Sequence, residues 1–237
     1  MKNLLSGLIL LLCASIIVTS CKKAESEDPA NDGELSYYFN PINLSASVSA
    51  TASESGKIVP ALSKGSITWI SGSFNIQKLT LTARKNQSDF KVEYKDLYNM
   101  SVQEMTNAGS IALPAGSYTN AELTINLVQS ATNVPVSLKG IFTDAQGNSV
   151  PVEMQFNYTY EMKGKLEDVT IKGDKYKATV QVALNNLVSG LTASDFTQAT
   201  RSGADNAVVI STTSNTTLFV KLIQNLPFAA AVDIQHQ

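Results

Sequence analysis

The fold class expected from the sequence is mainly β: an antiparallel β-sandwich of about eight strands, with one or two short helices near the C-terminus. Three observations lead there. Apolar and polar residues alternate in short runs from Ile67 to Leu184, the period of strands that bury one face. Turn-forming Gly, Pro, Asn and Asp residues separate those runs. Near the end the spacing changes, with Leu218, Phe219, Leu222, Ile223 and Leu226 recurring at helical intervals.

The chain does not open on that pattern. Lys2 precedes an almost wholly apolar stretch, Leu4 to Val18, which has the charged start and short hydrophobic run of an export signal. The run is shorter than the ~20 residues a membrane-spanning helix needs. Val18-Thr19-Ser20-Cys21 resembles a lipobox, in which a branched apolar residue and two small ones precede an acylated cysteine. The resemblance implies removal of residues 1–20 and lipid on Cys21, and two or more acyl chains hold a protein stably on a membrane. Lys22 is not the aspartate that retains enteric-type lipoproteins at the inner membrane. The expected location is therefore the outer membrane, with the cell surface favoured over the periplasmic face.

Residues 21–33 are expected to form the lipidated cysteine and a tether. Lys22 to Gly33 carry no large apolar side chain and cannot bury enough surface to order themselves. A flexible coil of that length reaches about 20 Å. Glu25, Glu27 and Asp28 give it an acidic cluster similar to the export tags of surface lipoproteins. The remainder, 34–237, is expected to form the β-sandwich domain.

Composition excludes several functions for that domain. When Lys2 leaves with the signal, the 18 basic residues fall to 17 against 20 acidic, a net of −3. That balance is not the basic footprint of a nucleic-acid binder. Cys13 leaves with the signal and Cys21 carries lipid, so no disulfide or free thiol is expected. The one histidine is His236, beside the C-terminus. Nucleophilic catalysis through a His base, and zinc held by His and Cys, lack their residues. No cofactor and no enzymatic activity are expected.

Taken in order, the domain begins with Tyr37-Tyr38-Phe39, expected as a first strand docking on the domain, with an exposed adhesive patch as the alternative. Ile67 to Ile70 and Phe74 to Thr82 follow. Phe74 and Ile76 share one parity and Leu79 and Leu81 the other, which predicts a bulge near Gln77-Lys78. Phe90, Val92 and Tyr94 alternate with charged residues. Pro114 to Ser117 predict a turn, before alternation resumes at Leu123, Ile125 and Leu127. Val134–Thr143 and Val150–Tyr160, joined by Asp144-Ala145-Gln146-Gly147-Asn148, give the clearest hairpin. A second hairpin is expected from Val169–Ile171 and Tyr176–Leu184 across Lys172-Gly173-Asp174. Thr192 with Asp195 predicts a capped short helix, Ala207–Ser211 a strand, and Ser214 or Asn215 the cap of a final helix stopped by Pro227.

Leu113 to Tyr118, the Gly140–Asp144 and Val150–Val152 hairpin, and Val209 to Leu226, together with the lipobox, make residues 65–237 similar to a group of functionally uncharacterised bacterial surface lipoproteins with a single β-rich domain. Their sandwiches are of immunoglobulin or transthyretin type. The resemblance carries over no catalytic residues.

The candidate ligand contacts are aromatic. Phe156, Tyr158 and Tyr160 fall on one parity of one expected strand, where a row of rings stacks on sugars or builds a core. Trp69, the single tryptophan, is a sugar platform or a core plug. Asp144, Gln146 and Asn148 lack the later glutamate of a calcium loop, and a plain turn is expected there. Glu122, Glu153, Glu161, Glu167 and Asp168 keep a two-carboxylate glycosidase open as the weakest alternative. The leading expectation is a lipid-anchored envelope protein that binds a glycan or protein, or serves an envelope assembly. The alternative is a structural or adhesive subunit working through an unpaired edge strand.

Overall fold

The computed structural model describes residues 32–49, 65–202 and 205–237. The segments expected as the export signal, the lipidated Cys21 and the tether, up to residue 31, lie outside them. The described chain is mainly β, with mixed sheets and three short helices. Among the described residues fourteen strands are present, where about eight were expected.

The smaller sheet has the order β14-β11-β1-β5. Its centre is β1 (Gly33–Ile42), flanked by β5 (Thr106–Leu113) and β11 (Lys175–Ala183), with β14 (Ala230–His236) outside β11. Gly33, expected as the last tether residue, is the first residue of β1. In β1 the residues Leu35, Tyr37 and Phe39 are buried and alternate with Glu34, Ser36 and Tyr38, so Tyr37-Tyr38-Phe39 is a first strand as expected. Burial pushes the Tyr37 hydroxyl well above the ordinary tyrosine pKa.

The larger sheet is built on β3 (Gly65–Lys85), 21 residues long. The first half of β3 pairs with β2 (Ser45–Val48) and β7 (Val136–Thr143), the second with β4 (Ser88–Ser101) and β6 (Gly116–Leu127). Beyond β7 come β8 (Ser149–Phe156), β13 (Ala207–Ile210) and β12 (Arg201–Ser202); beyond β6 come β9 (Tyr160–Lys165) and β10 (Val169–Ile171). Two runs that look separate in sequence, Ile67–Ile70 and Phe74–Thr82, are thus one strand that bends. Its pairing shifts between Trp69 and Ser71 and again between Ile76 and Lys78, the latter at the expected bulge. The β3–β4 hairpin turns on Asn86 and Gln87, both at positive φ (49° and 68°), as a two-residue turn matching strand twist requires.

The two sheets share one hydrophobic core. The Phe39 ring lies 5.2 Å from Phe74, and Tyr37 lies 6.5 Å from Tyr94. Three sequence expectations are corrected. First, the pairing is not all antiparallel, because β1–β11 and β8–β13 are parallel; periodicity reports which face is buried and not which way a neighbour runs. Second, β10 and β11 do not form a hairpin: β10 pairs with β6, whereas β11 pairs with β1 and β14. Lys172-Gly173-Asp174 is a crossing between sheets, with Gly173 at φ 80°. Third, the Val150–Tyr160 run is two strands, β8 ending at Phe156 and β9 beginning at Tyr160.

The Asp144–Asn148 hairpin joins β7 and β8 as expected. Its Asp144 carboxylate accepts the Gln146 and Asn148 backbone N–H groups at 2.9 and 2.8 Å. The Asn148 side chain, then these N–H groups, hold the Asp144 pKa below its usual value. Those bonds make it an Asx-type turn.

Three helices lie between β11 and β14 in the chain. α1 (Leu184–Leu187) follows β11 directly, α2 (Ala193–Thr197) follows Thr192, and α3 (Thr216–Asn225) buries Leu218, Phe219 and Leu222. α2 carries the expected capping box: Asp195 N–H donates to Thr192 Oγ1 at 3.3 Å and Thr192 N–H donates to Asp195 Oδ2 at 2.8 Å. Asn215 occupies the cap position of α3, but its side chain instead bonds Thr200 and Val209 backbone atoms. Pro227 lies in a 3₁₀ turn, Leu226–Phe228, that ends α3.

Asp195 also joins two helices, since Lys221 Nζ of α3 lies 2.6 Å from its Oδ1. Burial raises the Asp195 pKa, but the Lys221 ammonium and the Thr192 bonds outweigh it, and the net direction is down. A depressed folded pKa contributes stability above the unfolded value, lost as pH falls through the folded one. Asp195→Asn should therefore lower stability at pH 7 by about 1–2 kcal/mol. In urea unfolding, the gap between wild type and variant should shrink from pH 6 towards pH 3; a gap constant over that range contradicts the assignment.

Candidate functional site

Of the residues singled out from sequence, Cys21 lies outside the described residues. Trp69 is 2 % exposed, so its ring offers a ligand no surface and the core-plug alternative describes its position. Opposite it on β7 is Gly140, where a Cβ would stand 2.9 Å from the indole. The Trp69 indole N–H has no hydrogen-bond partner among the described residues.

The aromatic triplet is brought together, though not as a row. Phe156 ends β8 and is fully buried. Tyr158 stands in the link between β8 and β9 with 43 % of its surface exposed, its ring 4.1 Å from Phe156. Tyr160 opens β9, half-buried, edge-on to Phe156 at 5.7 Å. Phe219 of α3 completes the cluster, 6.0 Å from Phe156 and 6.3 Å from Tyr158. Partial burial raises both tyrosine hydroxyl pKa values, and for Tyr160 the neighbouring Tyr158 adds to it, so both are neutral donors at physiological pH. Tyr158 is thus an exposed ring braced from behind by buried rings.

No family model, curated protein or solved structure matches the chain.

The position of the cluster follows from register. Gly33 pairs with Leu113, and Glu34 N–H donates to Asp174, so the chain enters the fold at the Lys175 end of β11. β10 brings Ile171 against Gly116, the start of β6, at that same end. β6 then runs away to Leu127, which pairs with Tyr160. Ala183 N–H donates to the Ala229 carbonyl, which puts the turn bearing Phe228 at the far end of the smaller sheet. The length of β1 separates the two ends by about 30 Å. Near the far end, Val220 on α3 is 51 % exposed and Phe228 74 %. Val220 lies off the buried stripe of α3, where an apolar residue has no packing reason to be, and Phe228 follows Pro227 in the 3₁₀ turn.

Of the carboxylates singled out, Glu122, Glu153 and Glu161 each have a different side-chain partner, whereas Glu167 and Asp168 line one cleft with Asp233. Glu122 pairs with Lys163 at 3.1 Å, Glu153 with Lys139 at 3.0 Å, and Glu161 accepts from Asn126 at 2.8 Å. Asp168 accepts the Asn120 backbone N–H at 3.1 Å. Glu93, not singled out from sequence, has Lys91, Lys95 and Lys78 at 2.8, 3.1 and 3.4 Å. Lys91 and then Lys95 hold its pKa at about 2. Among the described residues no group of three or more His, Cys, Asp or Glu could hold a metal.

Proposed function

We propose that this chain is a lipid-anchored outer-membrane protein whose domain binds a ligand at the Tyr158–Tyr160 face, with a glycan as the ligand class. The lipobox-like Val18 to Cys21 and the acidic tether support the anchor. The observation that carries the binding half is Tyr158 itself. It is a half-exposed ring held by a buried one, at the end of the fold away from Gly33. An exposed ring with fixed orientation stacks on the apolar face of a sugar at small entropic cost, while its hydroxyl serves as a donor. Hung from Cys21, the domain would carry that face outward. The two facing sheets are read as one sandwich in this proposal, with β14-β11-β1-β5 over the second half of β3 and its neighbours, supported by the Phe39–Phe74 and Tyr37–Tyr94 contacts.

The test is a glycan array with the full chain, followed by Tyr158→Ala on any glycan retained. Binding that Tyr158→Ala weakens about tenfold, or about 1.4 kcal/mol, is expected. An array without signal, or binding indifferent to Tyr158, overturns the glycan proposal.

A further inference from the structure

The smaller sheet ends on two strands, and they differ in how their outer edges are finished. β5 is interrupted: its pairing with β1 shifts between Tyr37 and Tyr38, Gly109 takes φ 119°, and the Gly109 N–H is taken by the Asn107 side chain at 2.7 Å. A bulge of that kind is a common protection against added strands. β14 has neither bulge nor proline over its seven residues. Gln237 N–H donates to Lys175 and Ala183 N–H donates to Ala229. Antiparallel pairing alternates, so the odd-numbered residues of β14 face β11, and Ala230, Val232, Ile234 and His236 turn their N–H and C=O groups outward.

At Val232 that outer edge is closed, because β9 crosses there and a Cβ on Gly164 would meet Val232 Cγ2. Beyond Val232 the two sheets part. β9 ends at Lys165 and β10 is three residues long. Between them and β14 lies a cleft of about 310 Å³, lined by Lys165, Glu167, Asp168, Val169, Val232, Asp233 and Ile234. It continues into a shallower one that adds Lys172, Asp174 and His236. Four acidic residues face two lysines along this seam. Val169, Val232 and Ile234 supply an apolar floor.

We propose that this seam accepts one extended, basic segment of a partner protein as an added strand on β14, independently of the Tyr158 face. The outward N–H and C=O groups of Ile234 and His236 provide its main-chain bonds. Alternate side chains of the segment reach the apolar floor, and the others meet the acidic rim. The chain's own tether is a poor occupant despite starting beside the seam, since Glu25, Glu27 and Asp28 repeat the charge of Glu167, Asp168 and Asp233.

The probe is a fluorescent peptide of sequence KYKATVQVA, the β11 sequence, which already pairs with the other edge of β14 and has the required alternation and charge. Its partner control replaces both lysines with glutamate. Binding to the full chain in detergent is read by anisotropy. Saturable binding is expected, weakened at least about tenfold by Ile234→Pro, which deletes an outward N–H and leaves the β11 pairing intact. The charge reversals Asp233→Lys and Glu167→Lys, both exposed, should weaken it at least about threefold each. They decide the matter if the proline variant melts early by circular dichroism. No saturable binding, equal binding of the acidic peptide, or binding unchanged in a folded Ile234→Pro variant overturns the proposal. So does concentration-dependent self-association abolished by Ile234→Pro, which would assign the edge to a second copy of this chain.

Discussion

Replacing Phe156 with alanine should lower the unfolding free energy by about 3–5 kcal/mol, the usual range for a fully buried phenylalanine. Phe156 has no exposed surface and its ring meets those of Tyr158, Tyr160 and Phe219. It therefore joins the end of β8 to the start of β9 and to α3. Because a small domain has about 5–15 kcal/mol in total, the loss is a large share. It should appear as a lower urea midpoint with an unchanged slope. Tyr158 should also lose its fixed orientation, so the ligand binding proposed at that face should fall even in the folded fraction. A change below about 1 kcal/mol would mean that the cluster is not packed as described.

The second large effect is expected at Gly72. Its φ of 146° is a conformation that residues with a Cβ rarely adopt. A Cβ there would also meet the Ser137 carbonyl oxygen, with Leu138 Cα at 2.8 Å. Gly72 stands just past the first pairing shift of β3, where the strand changes from β2 and β7 towards β4 and β6 as neighbours. Gly72→Ala combines backbone strain of about 1–3 kcal/mol with displacement of β7, and should cost at least about 3 kcal/mol in urea unfolding. A variant as stable as wild type would contradict the bend assigned to β3.

Gly72 also illustrates what the sequence could not convey. Alternation in Ile67–Ile70 and Phe74–Thr82 is a local property, and it correctly gave buried faces and the bulge at Gln77-Lys78. That both runs belong to one strand serving two sets of neighbours depends on pairing partners up to 77 residues away in sequence, as in Ser66 with Thr143. Strands of two to four residues such as β2, β10 and β12 are too short for any period to register. The parallel β1–β11 pair joins residues about 140 apart and leaves no local trace. Local chemistry, by contrast, was legible: the Thr192–Asp195 capping box and the Asp144 turn both act within four residues.

At the candidate site the types were legible and the arrangement was not. Phe156, Tyr158 and Tyr160 looked like one face of one strand, and they meet because the chain leaves β8 between them. Phe219 entered through the helical stripe of α3, which sequence placed on a core without saying which part of it. Trp69 shows the limit of residue type alone, since a platform and a plug require the same side chain and differ in burial.

The outward placement proposed for the Tyr158 end of the domain rests on the anchor proposed at Cys21. Replacing Cys21 with alanine and fractionating cells tests it most directly. The full chain should pellet with membranes, and Cys21→Ala should move to the soluble fraction, since in this proposal acyl chains on that sulfur and terminus would hold it there. A Cys21→Ala protein that stays with the membrane would contradict the lipid anchor.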